Sequence, residues 1–224
     1  MTLLAEDLLL VLLDDETGKP IVDSSRLPRV LAGAILLELA LTGTVTLDVD
    51  GAVVRKGRLV VHAEQAPTDP VLADAAGRLT AAKPMKPAAA IEKLAKGARE
   101  VVLGRIVDRG WVREERGRIL GVFPTRRWPA IDESHERRVH AEVRSALVDG
   151  LTPSMRIAAL ISLLSAVSVA PRLFPDANKR AVTARAKQIA EGEWAGAAVR
   201  HAVDAVNAGM IAAITAGAVA VSGG

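Results

Sequence analysis

The sequence predicts a mainly α fold: a single helical domain, residues 1–224, around a buried central helix, with a small β meander and a protruding β-hairpin. Three observations predict it. LAGAILLELALTG, Leu31 to Gly43, is apolar on every side apart from Glu38, the pattern of a helix enclosed by other helices. Strand composition is confined to two short regions, 44–62 and 111–123. Aromatic residues are only 2% of the chain and Tyr is absent, so Leu, Val, Ile and Ala must fill the core.

The elements follow in order. Thr2 to Leu13 reads as a helix apolar on most sides, followed by a turn at DDETGKP (14–20). SSRLP (24–28) offers Ser caps and an early Pro, which is how helices start. That helix runs to Leu41 and ends at Gly43. Glu38 inside it needs a partner or a route to solvent, because a lone buried carboxylate is costly. TVTLD (44–48), AVVRK (52–56) and RLVVH (58–62) have strand composition, with Asp50-Gly51 as a turn signal. PTDPVLADAAGRL (67–79) restarts helix, capped by Thr68 or Asp69. KPMKP (83–87) is a break, and Ala88 to Arg109 is helical with an interruption at Gly97 or Gly104. WVREERGRILGVF (111–123) has two strand-like arms around Glu115-Arg116-Gly117, a β-hairpin. PTRRWP (124–129) is held extended by its prolines. Four helices close the chain, about 132–148, 153–169, 177–191 and 195–216.

Composition removes several function classes. There is no Cys, hence no disulfide framework, thiolate metal site or cysteine nucleophile. MTLLAEDLLLVLLDD has no basic n-region, so it does not read as a signal peptide. A bilayer-spanning helix needs about 20 apolar residues. The stretch at Leu31 is too short and contains Glu38, and Ile157 to Pro171 is closed by Arg156 and Arg172. The last 20 residues carry no side-chain charge but are mostly Ala and Gly. All three read as core helices of a soluble protein. No nucleotide-binding, metalloprotease or hydrolase motif is present, and His135 and His140 are five apart, the wrong spacing for a metal pair on one helix face. No enzymatic role, metal or cofactor is expected.

The distribution of charge says more than its net value of +3. Residues 1–50 hold three basic against nine acidic residues, which argues against nucleic acid as a partner. Lys96 and Arg99 are three apart on a predicted helix and share a face, with Lys93 one turn earlier. Arg26 and Arg29 precede the buried helix, and arginine pairs at 126–127 and 137–138 flank Trp128. These residues are either solvated faces or, for a few of them, a phosphate-binding cluster. Trp111 and Trp128 read as packing residues or subunit contacts.

Four segments in order, TLLAEDLLLVLL, LAGAILLELAL, APTDPVLAD (66–74) and IVDRGWV (106–112), are followed by a hairpin leading into FPTRRWP. They resemble the L-T-L-x-E-x-x-L-L-L, L-R-G-x-x-L-I-E-L-A-L, A-P-T-x-x-V-L-L-D and L-V-E-K-G-V-L motifs of the Golgi phosphoprotein 3 family, cytosolic proteins that bind phosphatidylinositol 4-phosphate. The likeness covers nearly the whole chain. It implies a helical domain around a central helix, a hairpin used for self-association, and peripheral membrane binding through one head group. The family site combines a Trp and an Arg, before and at the start of the buried helix, with two Arg three apart on a later helix. In register these positions fall at Asp23, Ala32, Lys96 and Arg99, so half of the site keeps its charge. Arg29, one turn before Ala32, is the substitute for the missing Arg, with Arg26 beside it.

The expectation is therefore a cytoplasmic, peripherally membrane-associated protein that binds an anionic, phosphoinositide-type lipid through Lys96, Arg99, Arg29 and Arg26. The alternative is a protein-interaction adaptor for cytosolic tails of membrane proteins, with lipid binding lost or incidental. The 111–122 hairpin is the expected homo-oligomer contact. The long basic tail of eukaryotic members has no counterpart ahead of Met1, which points to a prokaryotic member and leaves a coat-adaptor role uncarried.

Overall fold

A computed structural model describes residues 1–119, 123–192 and 197–222, with side chains described outside 118–124, 193–199 and 217–222. Helices α1 (Leu4–Leu12) and α2 (Leu27–Leu41) form its centre. Every residue of α2 from Val30 to Ala40 is buried. The reason is that α2 packs against α1, α3 (Pro70–Thr80), α4 (Pro87–Ala95), α5 (Ala98–Asp108), α7 (Met155–Ala166) and α9 (Ala197–Ser222). A leucine buried in this way contributes about 1.5–3 kcal/mol, so a sequence that is apolar all round is stable only in that position.

The start of α2 differs from the expected Ser cap. The Asp23 carboxylate accepts the backbone N–H groups of Ser25 and Arg26, at 3.1 and 3.0 Å, and the Ser25 hydroxyl donates to it as well. A carboxylate is the stronger acceptor, so the serine becomes a donor. The cap of α3 is as expected, with Asp69 accepting from the N–H of Val71.

Residues 44–62 form a two-stranded hairpin and not a three-stranded meander. Strands β1 (Val45–Asp48) and β2 (Arg58–Val61) pair antiparallel, Val45 opposite Val61. AVVRK (52–56) is a loop because the Asp48 carboxylate takes the N–H groups of Gly51, Ala52, Val53 and Val54 at 2.7–3.0 Å. Amides bound to one carboxylate cannot also form a ladder. These hydrogen bonds, Val54 foremost, hold Asp48 below the ordinary carboxylate range.

The second hairpin is shifted along the chain from its expected place. Strands β3 (Glu115–Ile119) and β4 (Phe123–Arg127) pair Glu115 with Arg127, so Glu115-Arg116-Gly117 is strand and not turn. Charge pairing fixes this register. Glu115 lies between Arg113 and Arg127, at 2.8 and 2.6 Å, and Glu114 between Arg116 and Arg126, at 3.3 and 3.4 Å. The remainder of the expected hairpin, residues 120–122, lies outside the described residues, as do the first two residues of the expected helix 195–216.

Helices α4 and α5 are separated at Lys96-Gly97, where Gly97 takes a left-handed φ of 84°. Gly104 instead continues inside α5. Helices α6 (Ser134–Leu147), α7 and α8 (Lys179–Ala190) follow as read from the sequence. The C-terminal stretch corrects one expectation. In α9, Val203, Val206, Met210 and Ala213 are buried, but His201, Asp204, Ile211 and Thr215 are exposed, so it is a surface helix with one packed face. Among the described residues no helix is long and apolar enough to cross a membrane.

Close approach of α9 to α4 needs Gly209, where an added Cβ would lie 2.8 Å from the Ala88 backbone nitrogen and 3.0 Å from the Pro87 Cβ. Backbone cannot yield as a flexible side chain can. Gly209→Ala is expected to lower stability by about 1–3 kcal/mol, measured by urea unfolding against wild type. Gly33→Ala meets mainly the sulfur of Met210, the far part of an unbranched and adaptable side chain, and is expected to cost less.

Candidate functional site

Three acids of the first two helices are buried together. Glu6 is 0% exposed, Asp7 4% and Glu38 3%, so each needs a cation or several donors. Glu6 accepts from Arg109 Nε at 2.6 Å, Arg105 Nε at 3.1 Å and the Leu3 N–H at 2.6 Å. Burial pushes Glu6 up, but these donors outweigh it and hold the carboxyl below its usual range. Arg105 also reaches Asp69 at 2.9 Å. Arg156 donates to Asp7 at 2.9 Å and to Glu38 at 3.1 Å. Glu38 further accepts the Leu4 N–H at 2.7 Å. There burial prevails over Leu4 and Arg156, and Glu38 lies above its ordinary value. His135 approaches Asp7 at 2.8 Å and stacks on Trp111, ring centroids 4.3 Å apart, while Arg109 lies over the same indole. Arg109 and Arg156 donate to the carbonyls of Met1 and Thr2. The partner that Glu38 required is thus Arg156, and the whole cluster clamps the start of α1 in place.

The residues proposed from the sequence to hold a head group lie elsewhere, around the α4–α5 break. The structure does not place Lys96 and Arg99 on one helix face. Lys96 is the extended residue that ends α4, and Arg99 sits in the first turn of α5, with left-handed Gly97 between them. Lys96 is exposed and has no ion-pair partner among the described residues. Arg99 lies over the buried Trp128 ring at 5.2 Å, and its Nε is buried without a hydrogen-bond partner. Its nearest acid is Glu100, at 4.0 Å. No side chain caps α5. Helix α4 ends differently: Arg78 donates to the carbonyls of Lys93 and Lys96.

Arg29 and Arg26 are already paired. Arg29 binds Glu92 of α4 through Nε at 2.6 Å and Nη2 at 3.3 Å, and its Nη1 donates to the Ser25 carbonyl at 2.6 Å. Arg26 pairs with Asp23 at 3.2 Å. Ala32 is fully buried and faces the core. Sequence reasoning missed Arg78, Glu92 and the Trp128 support of Arg99. The only sequence signal among these was the Glu92–Lys96 spacing, one helical turn.

The matched sequence model is that of Golgi phosphoprotein 3 (GPP34), and it spans residues 4–206. The chain belongs to the Golgi phosphoprotein 3 family. No curated protein matches it in sequence. In this Golgi phosphoprotein 3-family chain, the acids of TLLAEDLLLVLL and LAGAILLELAL are explained by the clamp on α1. They are structural anions, and the cations nearest to them are spent on them.

A cleft of about 620 Å³ lies between the end of α1, the 14–16 turn, α6 and residues 172–175. Asp15 and Glu136 both line it. Burial, then the charge and hydrogen bond of Asp15, push Glu136 up to about 8. The histidines add no metal centre: among the described residues no group of three or more His, Cys, Asp or Glu could hold an ion. His62 instead meets Thr46 at 2.8 Å, and His140 the Leu173 carbonyl at 3.3 Å.

Two outcomes follow from these geometries. Arg156→Met leaves Asp7 and Glu38 without their shared cation, and urea unfolding at pH 7.5 is expected to show a loss of about 3–5 kcal/mol. Glu136 is pushed up to about 8 in the fold from its ordinary value of 4.5. Between those values the native state holds more protons, so this group's contribution is present at low pH and is lost as pH rises through 8. Melting curves from pH 6 to 9 are expected to fall for wild type and to flatten for Glu136→Gln, with a difference at pH 9 of about 2–4 °C.

Proposed function

We propose that this chain is a peripheral membrane protein that binds an anionic, phosphoinositide-type lipid head group around the α4–α5 break. Lys96 and Arg99 hold the phosphate, and Arg29 or Arg26 assists. The observation that carries the reading is the pair of cations flanking an uncapped helix start, in a chain of the Golgi phosphoprotein 3 family. Lys96 has no competing acid among the described residues, and Arg99 is propped on Trp128 with a donor to spare. The first amides of α5 point out of the helix and have no intrahelical acceptors, which favours an anion there. The absence of a membrane-crossing helix among the described residues is compatible with peripheral attachment. Membership of a binding family favours recognition over catalysis.

Each basic residue near an anionic surface is worth about 1 kcal/mol, so binding is weak and salt-sensitive. Co-sedimentation with phosphatidylcholine vesicles, with and without phosphatidylinositol 4-phosphate, tests the reading. Lys96→Ala/Arg99→Ala is expected to weaken phosphoinositide-dependent binding by roughly 30-fold, from about 2 kcal/mol for two charges. Equal binding by the double variant and wild type removes the site.

A further inference from the structure

The Arg29–Glu92 pair differs in kind from the clamp around Glu6. Glu6 is sealed at 0% exposure, whereas the side chains of Arg29 and Glu92 are 22% and 44% exposed. A sealed acid cannot leave its cations without a large desolvation penalty, but a half-exposed one can exchange with solvent anions. The guanidinium is filled in the fork geometry that it would use on a phosphate, with two nitrogens on two oxygens of one anion. The remaining contact, Nη1 to the Ser25 carbonyl, keeps the group aimed at α4. Glu92 stands four residues before Lys96, the C-cap of α4, so the occupied fork is held on the last turn leading into the α4–α5 break.

We infer that Glu92 is a built-in counter-ion that occupies Arg29 in the absence of ligand, so that the site gains Arg29 only when a more highly charged anion replaces the carboxylate. This rests on the lipid-binding reading above and adds its regulation. The exchange has a direction. A phosphomonoester carries about −1.5 to −2 at neutral pH, against a single charge on Glu92. A phosphodiester head group carries only one charge and has no advantage over a carboxylate already tethered in place. The device therefore favours a phosphomonoester and suppresses loose binding to ordinary anionic lipid. The ion pair is not the sole link between α2 and α4, because the two helices pack together and Ala90, Ile91 and Leu94 of α4 are buried in the core.

The test is a cycle at positions 29 and 92, read by co-sedimentation with phosphatidylcholine vesicles containing phosphatidylinositol 4-phosphate or phosphatidylglycerol. Glu92→Gln removes the charge and keeps an acceptor oxygen for Arg29. It is expected to bind both vesicle types roughly five- to tenfold more tightly than wild type, as one freed cation allows. Glu191→Gln, an equal change in charge at an exposed position far along the chain on α8's end, is expected to change neither. Arg29→Ala is expected to weaken binding to phosphatidylinositol 4-phosphate vesicles, to leave phosphatidylglycerol binding unchanged, and to erase the gain when combined with Glu92→Gln. Inorganic phosphate as a competitor separates a free-phosphate site from a lipid site: full displacement at low concentration assigns the anion to the soluble pool and overturns the lipid form of the inference.

An unchanged Glu92→Gln, or a gain that survives loss of Arg29, overturns the counter-ion role. If wild type binds and Lys96→Ala/Arg99→Ala does not, that failure leaves the lipid-binding reading standing. If no variant binds any vesicle, both fall together.

Discussion

Three carboxylates near the start of the chain lie where water does not reach, and their neutralisation ties distant parts of the sequence together. Glu6 draws in Arg105 and Arg109 from the end of α5, Asp7 draws in His135 and Arg156, and Glu38 shares Arg156. The clamp joins five helices and the turn at Trp111. A leucine-rich interior is tolerant of sliding, because one apolar contact is much like another. Charges that must meet at about 3 Å are not, and they set which turn of α1 faces which turn of α5 and α7. Such a cluster is a poor source of net stability but is costly to break on one side.

The same requirement shapes the surface. Arginines consumed by buried acids are unavailable to a ligand, whereas Lys96, at the α4–α5 break, has no ion-pair partner among the described residues. That break is itself a consequence of Gly97, whose left-handed backbone turns the chain between two short helices. One side of it is closed, since Arg78 caps the carbonyls that end α4, and the other is open, since α5 starts without a cap. Two cationic side chains therefore stand beside the uncapped start of α5. The hairpin shows the opposite arrangement, with each glutamate at its base shared by two arginines.

Two further contacts link these regions. The Gly18 carbonyl accepts the Trp128 N–H at 2.7 Å, and Gly18 has no room for a Cβ beside Trp128 and Pro129. The 14–20 turn thereby supports the indole on which Arg99 rests. The turn also carries Asp15, which lines the same cleft as Glu136 of α6. Side chains far apart in sequence thus stand behind one candidate phosphate ligand.

What the amino-acid sequence determined by itself was periodicity and composition. The helical pattern of α1 and α2, a cap at Thr68 or Asp69, a break at Gly97 or Gly104 and the central place of LAGAILLELAL were all readable. Each depends on residues within a turn or two of one another, or on an apolar surface that has only one place to go. The order of motifs was also enough to indicate the family. Tertiary structure decided the rest, because it concerned which charges meet. Asp48 gathers four amides and dissolves an expected strand, Glu114 and Glu115 move the hairpin register, and Arg156 answers Glu38 from more than a hundred residues away. Glu92 takes Arg29, and Gly97 turns Lys96 off the face it was expected to share with Arg99. A residue's charge is written in the chain, but its partner is chosen only when the backbone has closed, since Coulomb attraction depends on separation in space and not along the sequence.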